Sequence, residues 1–219
     1  SIKKEGKSRQ EFLRAVCKIP GIYVPSLYKV TYQEDGTIAS FQPKYKDVPA
    51  IVKKEIEMDL TNTVYPHRPL VPFIKATQDR VVLEIQRGCI RGCRFCQAGM
   101  IYRPTRERDV TMLKQCAYEM LKSTGHEEIS LSSLSSSDYS QLPELINYLI
   151  ASRERGVNIS LPSLRIDAFS LEVMNKVQDI RKSSLTFAPE AGSQRLRNVI
   201  NKGLTEEIIL NGAGLAFEG

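Results

Sequence analysis

The residues most able to do chemistry are three cysteines in one short run, Cys89-Ile90-Arg91-Gly92-Cys93-Arg94-Phe95-Cys96, directly after the apolar stretch Val81-Val82-Leu83-Glu84-Ile85. The spacing is C-x3-C-x2-C. Three thiolates on one tight loop can hold three irons of a cubane iron–sulfur cluster, which leaves the fourth iron without a protein ligand. Protein clusters usually have four cysteine ligands, so the missing one points to another molecule at the open iron. A structural zinc site is the competing reading, but it wants four ligands. Neither a second C-x-x-C nor an H-x3-H lies elsewhere, and His67 and His126 sit apart in unremarkable contexts. The other two cysteines, Cys17 and Cys116, fall on apolar faces of expected helices and read as core residues. Three of five cysteines clustered at ligand spacing argue for a metal site in a reducing compartment, not for a disulfide framework.

With an aromatic residue just before the third cysteine, the loop resembles that of the radical S-adenosylmethionine (SAM) superfamily. The resemblance continues in residues 79–89, DRVVLEIQRGC, and 96–108, CQAGMIYRPTRER. These runs are similar to those of uncharacterised bacterial radical SAM proteins of the Fe–S oxidoreductase kind. The likeness covers roughly the whole chain, with its firmest part starting near Pro69. Relatives of that group carry an N-terminal domain of the cobalamin-binding type. That domain is expected to be mostly absent here. There is no D-x-H-x-x-G, so cobalamin would belong only to a missing N-terminal domain.

The resemblance implies a [4Fe–4S] cluster on Cys89, Cys93 and Cys96, with SAM chelated at the open iron. It implies reductive cleavage of SAM to methionine and a 5′-deoxyadenosyl radical that abstracts hydrogen from a substrate. An external electron donor is implied too; the substrate, a small molecule or RNA, is not identified by any residue. Phe95 stands where the superfamily packs an aromatic against adenine, with plain loop packing as the ordinary alternative. Many relatives carry Gly-Gly-Glu after the second strand, for the SAM ammonium group. This chain has Leu131-Ser132-Ser133-Leu134-Ser135-Ser136-Ser137-Asp138 instead. Hydroxyls of Ser132, Ser133 or Ser135 can accept the same hydrogen bonds. Arg165 follows the third strand and can pair with the SAM carboxylate through its planar fork, or simply bridge to Asp167. Glu190, in Ala188-Pro189-Glu190-Ala191-Gly192-Ser193, resembles the acidic residue that meets the ribose hydroxyls in the methylthiotransferase and elongator-like branches. Its alternative role is to cap the next helix.

The elements that must carry these residues follow from apolar periodicity. A helix is expected over residues 8–17. A hairpin is expected from 28–32 and 37–41 about a Glu34-Asp35-Gly36 turn, then a proline-rich extended connector over 42–72. From residue 81 strands and helices alternate: strands at 81–86, 128–132, 158–161 and 185–188, and helices at 111–122, 142–152, 171–177, 194–200 and 206–210. Repeated βα units predict a parallel sheet with right-handed crossovers. In a barrel of such units the loops after the strands make the active site. The expected fold is α/β, a partial (β/α) barrel of the radical SAM type truncated after about four βα units. It spans 73–219, behind a small α+β segment over 1–72. A barrel cut there leaves a strand edge open to self-association. Asn211-Gly212-Ala213-Gly214 begins like a dinucleotide fingerprint, but its third glycine is missing, and it reads as a helix end.

Bulk properties narrow the function class further. The hydrophobic fraction of 42% and charged fraction of 26% are ordinary for a globular protein. No apolar run approaches the roughly 20 residues of a membrane span, and the start lacks an apolar leader. A cytoplasmic protein without a membrane partner is expected. Six arginines, Arg87, Arg91, Arg94, Arg103, Arg106 and Arg108, crowd the cysteine loop. They read either as a solvated, ion-paired face or as an electropositive rim for an anionic ligand or RNA. Two rival functions therefore stay open beside a radical SAM enzyme: an RNA-binding module with a structural cluster, and a cysteine-ligated zinc domain. If the chain is a fragment, its parent can be an enzyme while the fragment itself lacks turnover.

Overall fold

The computed structural model describes residues 8–151, 157–168 and 186–218, and these divide into two compact units, up to Glu57 and from Met58 onward. In the first unit, α1 (Arg9–Val16) opens with a capping box, in which the Ser8 hydroxyl and Glu11 carboxylate satisfy each other's backbone N–H groups. Strands β1 (Tyr28–Tyr32) and β2 (Ile38–Pro43) pair antiparallel about the Asp35-Gly36 turn. Cys17, Val24, Leu27, Tyr28 and Val48 form this unit's own core.

The second unit is built on a parallel sheet of three strands, in the order β3, β6, β7. They are β3 (Val81–Glu84), β6 (Glu128–Ser132) and β7 (Asn158–Ser160). Ile129 faces both Val81 and Ile159 across the sheet. Central β6 buries Ile129, Ser130 and Leu131 in succession, as a parallel strand covered on both faces does. Helices α3 (Val110–Thr124) and α4 (Leu142–Ala151) supply Leu113, Cys116, Ala117, Leu145, Ile146 and Leu149 to the same core. Cys116 is fully enclosed there, and Cys17 is buried in the first unit. The N-terminus of α3 is fixed by Asp109, whose carboxylate accepts from the Met112 N–H at 3.0 Å.

Several outlines differ from the sequence expectation. The expected strand at 81–86 divides: after β3 the chain turns into β4 (Gln86–Arg87), which pairs antiparallel with β5 (Arg106–Glu107). The compact units part at 57/58, and Leu60, Thr63 and Tyr65 pack with the second unit, against Arg108 and the sheet. The helix expected at 171–177 lies outside the described residues, as does the start of the strand expected at 185–188; residues 186–190 carry no strand. Among the described residues the sheet has three parallel strands and does not close into a barrel. After α5 (Gln194–Val199), the last helix, α6 (Glu206–Glu218), runs straight through the glycines read as a helix end. The reason is packing: a Cβ on Gly212 would lie 2.3 Å from the side chain of Ile166, so glycine lets this helix approach the Ile166–Ala168 turn. No helix among the described residues is long and apolar enough to cross a membrane.

Candidate functional site

The cysteine loop is the excursion between β4 and β5. The two-residue ladder, Gln86 with Glu107 and Arg87 with Arg106, pins its two ends together at the C-terminal end of β3. Within the loop the Cys96 N–H donates to the Cys93 carbonyl at 3.1 Å, making a tight turn. Cys96 then caps α2 (Gln97–Ile101), its sulfur accepting from the Gly99 N–H at 3.3 Å. The Cys89 sulfur accepts from the Arg91 N–H at 3.4 Å. All three cysteines are free and half-buried, unlike the enclosed Cys17 and Cys116. The thiolate is the form of cysteine that binds metal. Among the described residues no three His, Cys, Asp or Glu side chains gather around a point fit for a single metal ion. A cubane cluster asks something different of its ligands, one thiolate for each of three irons, and this donor set suits it chemically.

Polar contacts tie the loops after the strands to one another. From the cysteine loop, Arg91 donates Nε and Nη2 to the Asp138 carboxylate at 2.9 and 2.5 Å, and Nη1 to Asp167 at 3.2 Å. Asp138 belongs to the serine loop after β6, and Ser135 Oγ donates to it at 2.7 Å. Burial opposes the Asp138 charge, but the hydrogen bonds from Arg91 and Ser135 outweigh it and hold its carboxyl below the usual range. Asp167 lies after β7 and accepts Nε and Nη2 of Arg165, each at 2.9 Å. Arg165 Nη2 reaches on to the Lys202 carbonyl, and the Lys202 ammonium donates to Glu190 at 3.0 Å. The chain segment 199–201 grips the cysteine loop directly. Arg94 donates its side chain to the Val199 carbonyl and its backbone N–H to the Ile200 carbonyl, and Asn201 Nδ2 donates to the Gly92 carbonyl at 2.8 Å.

Of the residues singled out from sequence, Ser133, Ser135, Arg165 and Glu190 are bonded into this network, and each already has protein partners. Arg165 makes the bridge to Asp167 weighed as its ordinary role. Ser135 is buried, its hydroxyl on Asp138 and its carbonyl on Gln86 Nε2 at 2.6 Å. Ser133 shares a hydrogen bond with Ser136 at 3.0 Å, and the Ser132 carbonyl accepts the Ile85 N–H. Phe95 is 54% exposed. Glu190 does not cap α5; Ser193 does, through its hydroxyl. Glu190 instead has a left-handed backbone, φ 71°, a conformation that non-glycine residues adopt sparingly and often near functional sites.

Sequence reasoning missed Arg91, Asp138, Asp167 and Asn201 as organisers of the site. An aspartate follows the second and third loops, which was the available signal. Of the two readings of the six crowded arginines, the contacts fit the ion-paired one, though many partners are backbone carbonyls. Arg87 pairs with Glu84, and Arg108 with Glu84 and the Leu60 carbonyl. Arg103 holds the Arg91 carbonyl, and Arg106 the Tyr102 and Pro104 carbonyls. They brace loops from within. At the opposite end of the strands lies a cavity of about 800 Å³ lined by Tyr118, His126, Tyr148 and Val157, and among the described residues no group of His, Cys, Asp or Glu there could hold a metal ion. His67 lies 3.2 Å from Glu119 and 3.7 Å from the Cys116 sulfur, but burial pushes that thiol up, away from thiolate chemistry.

A parallel sheet with a cysteine-bearing loop at the C-terminal end of a strand, knit to the loops of the next strands, defines the class as α/β. Comparison with known families gives the class a name. The model of the radical SAM superfamily matches residues 83–218, and the chain belongs to that superfamily. It is 36% identical over 179 residues to the uncharacterized protein MJ0966 of Methanocaldococcus jannaschii, an alignment covering 78% of this chain and 39% of the relative. It is 25% identical over 164 residues to a protein of the same organism named "Putative methylthiotransferase MJ0865", covering 68% of this chain and 35% of that one. The chain thus spans well under half the length of these relatives.

Proposed function

We propose that this chain is the cofactor-binding part of a radical SAM enzyme, with Cys89, Cys93 and Cys96 holding three irons of a [4Fe–4S] cluster. The observation that carries the reading is the loop itself: three free, half-buried cysteines, two with N–H groups on their sulfurs, at the end of a parallel strand. When bound, such a cluster supplies the electron that cleaves SAM to methionine and a hydrogen-abstracting 5′-deoxyadenosyl radical. The chain's own residues hold and orient. Phe95 offers an exposed ring to adenine. Ser132, Ser133 and Ser135 offer acceptors to the ammonium group; a hydroxyl already donating still has lone pairs to accept with. Arg165 serves the SAM carboxylate by exchanging it for Asp167, and Glu190 serves the ribose hydroxyls by exchanging them for Lys202.

In this reading the three described strands belong to a partial (β/α) barrel. The substrate is a small molecule or RNA, and the name of one relative makes methylthio transfer a reaction class to assay. The engagement of all six loop arginines supports a bracing role for them over an RNA-gripping rim. The test is anaerobic reconstitution with iron and sulfide, followed by EPR of the reduced protein with and without SAM. A reduced [4Fe–4S] signal that changes when SAM is added is expected. Zinc in place of iron, or a signal indifferent to SAM, sinks the reading.

A further inference from the structure

Arg91 stands between two of the three cysteines, yet its side chain leaves the loop. It makes three hydrogen bonds to two carboxylates, those of Asp138 and Asp167, which lie 47 and 76 residues further along the chain. Both carboxylates are well covered, at 9% and 15% side-chain exposure, and Arg91 is 31% exposed. This differs from an ordinary surface bridge, which contributes little. Asp138 takes a bidentate fork and Asp167 is shared with a second guanidinium, Arg165, so the geometry is set at both ends. Ser135 and the Arg165 backbone complete the tie, the latter donating to Ser137 Oγ at 3.0 Å. One side chain thus joins the loops after three neighbouring strands.

We infer that Arg91, through Asp138, is a positioning residue that sets the cysteine loop against the loops after β6 and β7. Its consequence for iron rests on the cluster reading above; its consequence for the loop does not. Partners that orient ligands from behind typically change metal affinity by roughly 10–100-fold when removed. Arg91→Lys is a poor replacement, because an ammonium cannot span two carboxylates as a planar fork does.

The experiment uses the full chain with Arg91→Ala, Arg91→Lys, Asp138→Asn and the double variant R91A/D138N. Lys114→Ala, which breaks the remote Lys114–Glu144 pair, is the control. Amide hydrogen exchange is first followed in the metal-free protein. Each single variant at Arg91 or Asp138 is expected to speed exchange over residues 89–96 by roughly tenfold, with little change in β3, β6 and α3. The double variant should be no worse than Arg91→Ala alone, as partners in one interaction are. After anaerobic reconstitution the same variants should lose iron on gel filtration roughly tenfold faster than the parent, Arg91→Lys among them, while Lys114→Ala does not. Unchanged exchange over 89–96, a rise spread evenly over the whole second unit, or additive effects in the double variant each overturn the inference. A parent chain that takes up no iron overturns the proposed function instead, and the exchange experiment still decides this one.

Discussion

At the scale of single residues, the site depends on a glycine and a buried arginine. Gly88 leaves β4 with φ 82°, and a Cβ there would stand 2.6 Å from the Tyr102 carbonyl oxygen and 2.7 Å from that of Pro104. Both the backbone angle and the space demand glycine. Gly88→Ala is expected to cost about 2 kcal/mol and to loosen the loop's closure, which thermal unfolding and iron retention would report together. Arg108 is almost fully enclosed, with Glu84 as its carboxylate partner and Tyr65 stacked on its guanidinium at 4.6 Å. Burial opposes the Glu84 charge, but hydrogen bonds from Arg87 and Arg108 outweigh it, so its carboxyl titrates below the usual range. A depressed carboxylate stabilises the fold above its unfolded pKa, about 4.3, and loses that contribution as pH falls through the folded value. Glu84→Gln leaves a buried guanidinium without its carboxylate, and a loss of about 2–3 kcal/mol is expected at pH 7. The gap between parent and variant should narrow as pH falls from the unfolded pKa toward the lower folded one, because protonated Glu84 resembles glutamine. A gap that does not narrow at all as pH falls below the unfolded carboxylate range contradicts the pairing as the source of stability. The arginines themselves were visible in sequence, but not their partners. Arg91 with Asp167 and Arg94 with Val199 are contacts made across long chain separations, and these leave no local period to read.

At the scale of elements, the legible parts were those with a short-range cause. The capped first helix, the hairpin about Asp35-Gly36, the strand at 128–132 and the two amphipathic helices beside it follow from spacing alone. What decides residues 58–72 is instead a tertiary contact. The Tyr65 hydroxyl accepts the Glu84 N–H at 2.7 Å and donates to the Val82 carbonyl at 3.3 Å, sealing the outer edge of β3. Burial raises the Tyr65 phenol, so it stays protonated as both roles require. A proline-rich stretch has no periodicity with which to announce such a role. An unpaired edge is a template for another chain. Tyr65→Phe keeps the ring over Arg108 but removes both edge bonds. It is expected to cost about 1 kcal/mol and to raise the dimer fraction seen by light scattering at high concentration. A variant that stays as monomeric as the parent would show that the edge is protected by something other than this hydroxyl.

At the scale of the whole molecule, the two units keep separate interiors: the core around Cys17, Leu27 and Val48 shares no residue with the core around Leu83, Ile129 and Leu145. Every residue assigned to the candidate site, from Cys89 to Glu190, lies in the second unit, as does the matched family region over 83–218. The network that joins the loops, from Arg91 through Asp138, Asp167 and Arg165 to Lys202 and Glu190, is also confined to it. Sequence reading singled out Arg165 and Glu190 of this network as separate points, each after its own strand, with Asp167 only as a bridge partner. It could not join them, because the joining depends on how far each strand end stands from the next. If the site belongs to the second unit alone, a chain of residues 58–219 should take up as much iron per molecule as the full chain, and its melting temperature should match the transition that iron binding raises in the parent. Iron analysis and calorimetry on the two chains make the comparison. A shortened chain that unfolds without cooperativity, or folds but binds no iron where the full chain does, would mean that residues 1–57 are needed to hold the cysteine loop in its working form.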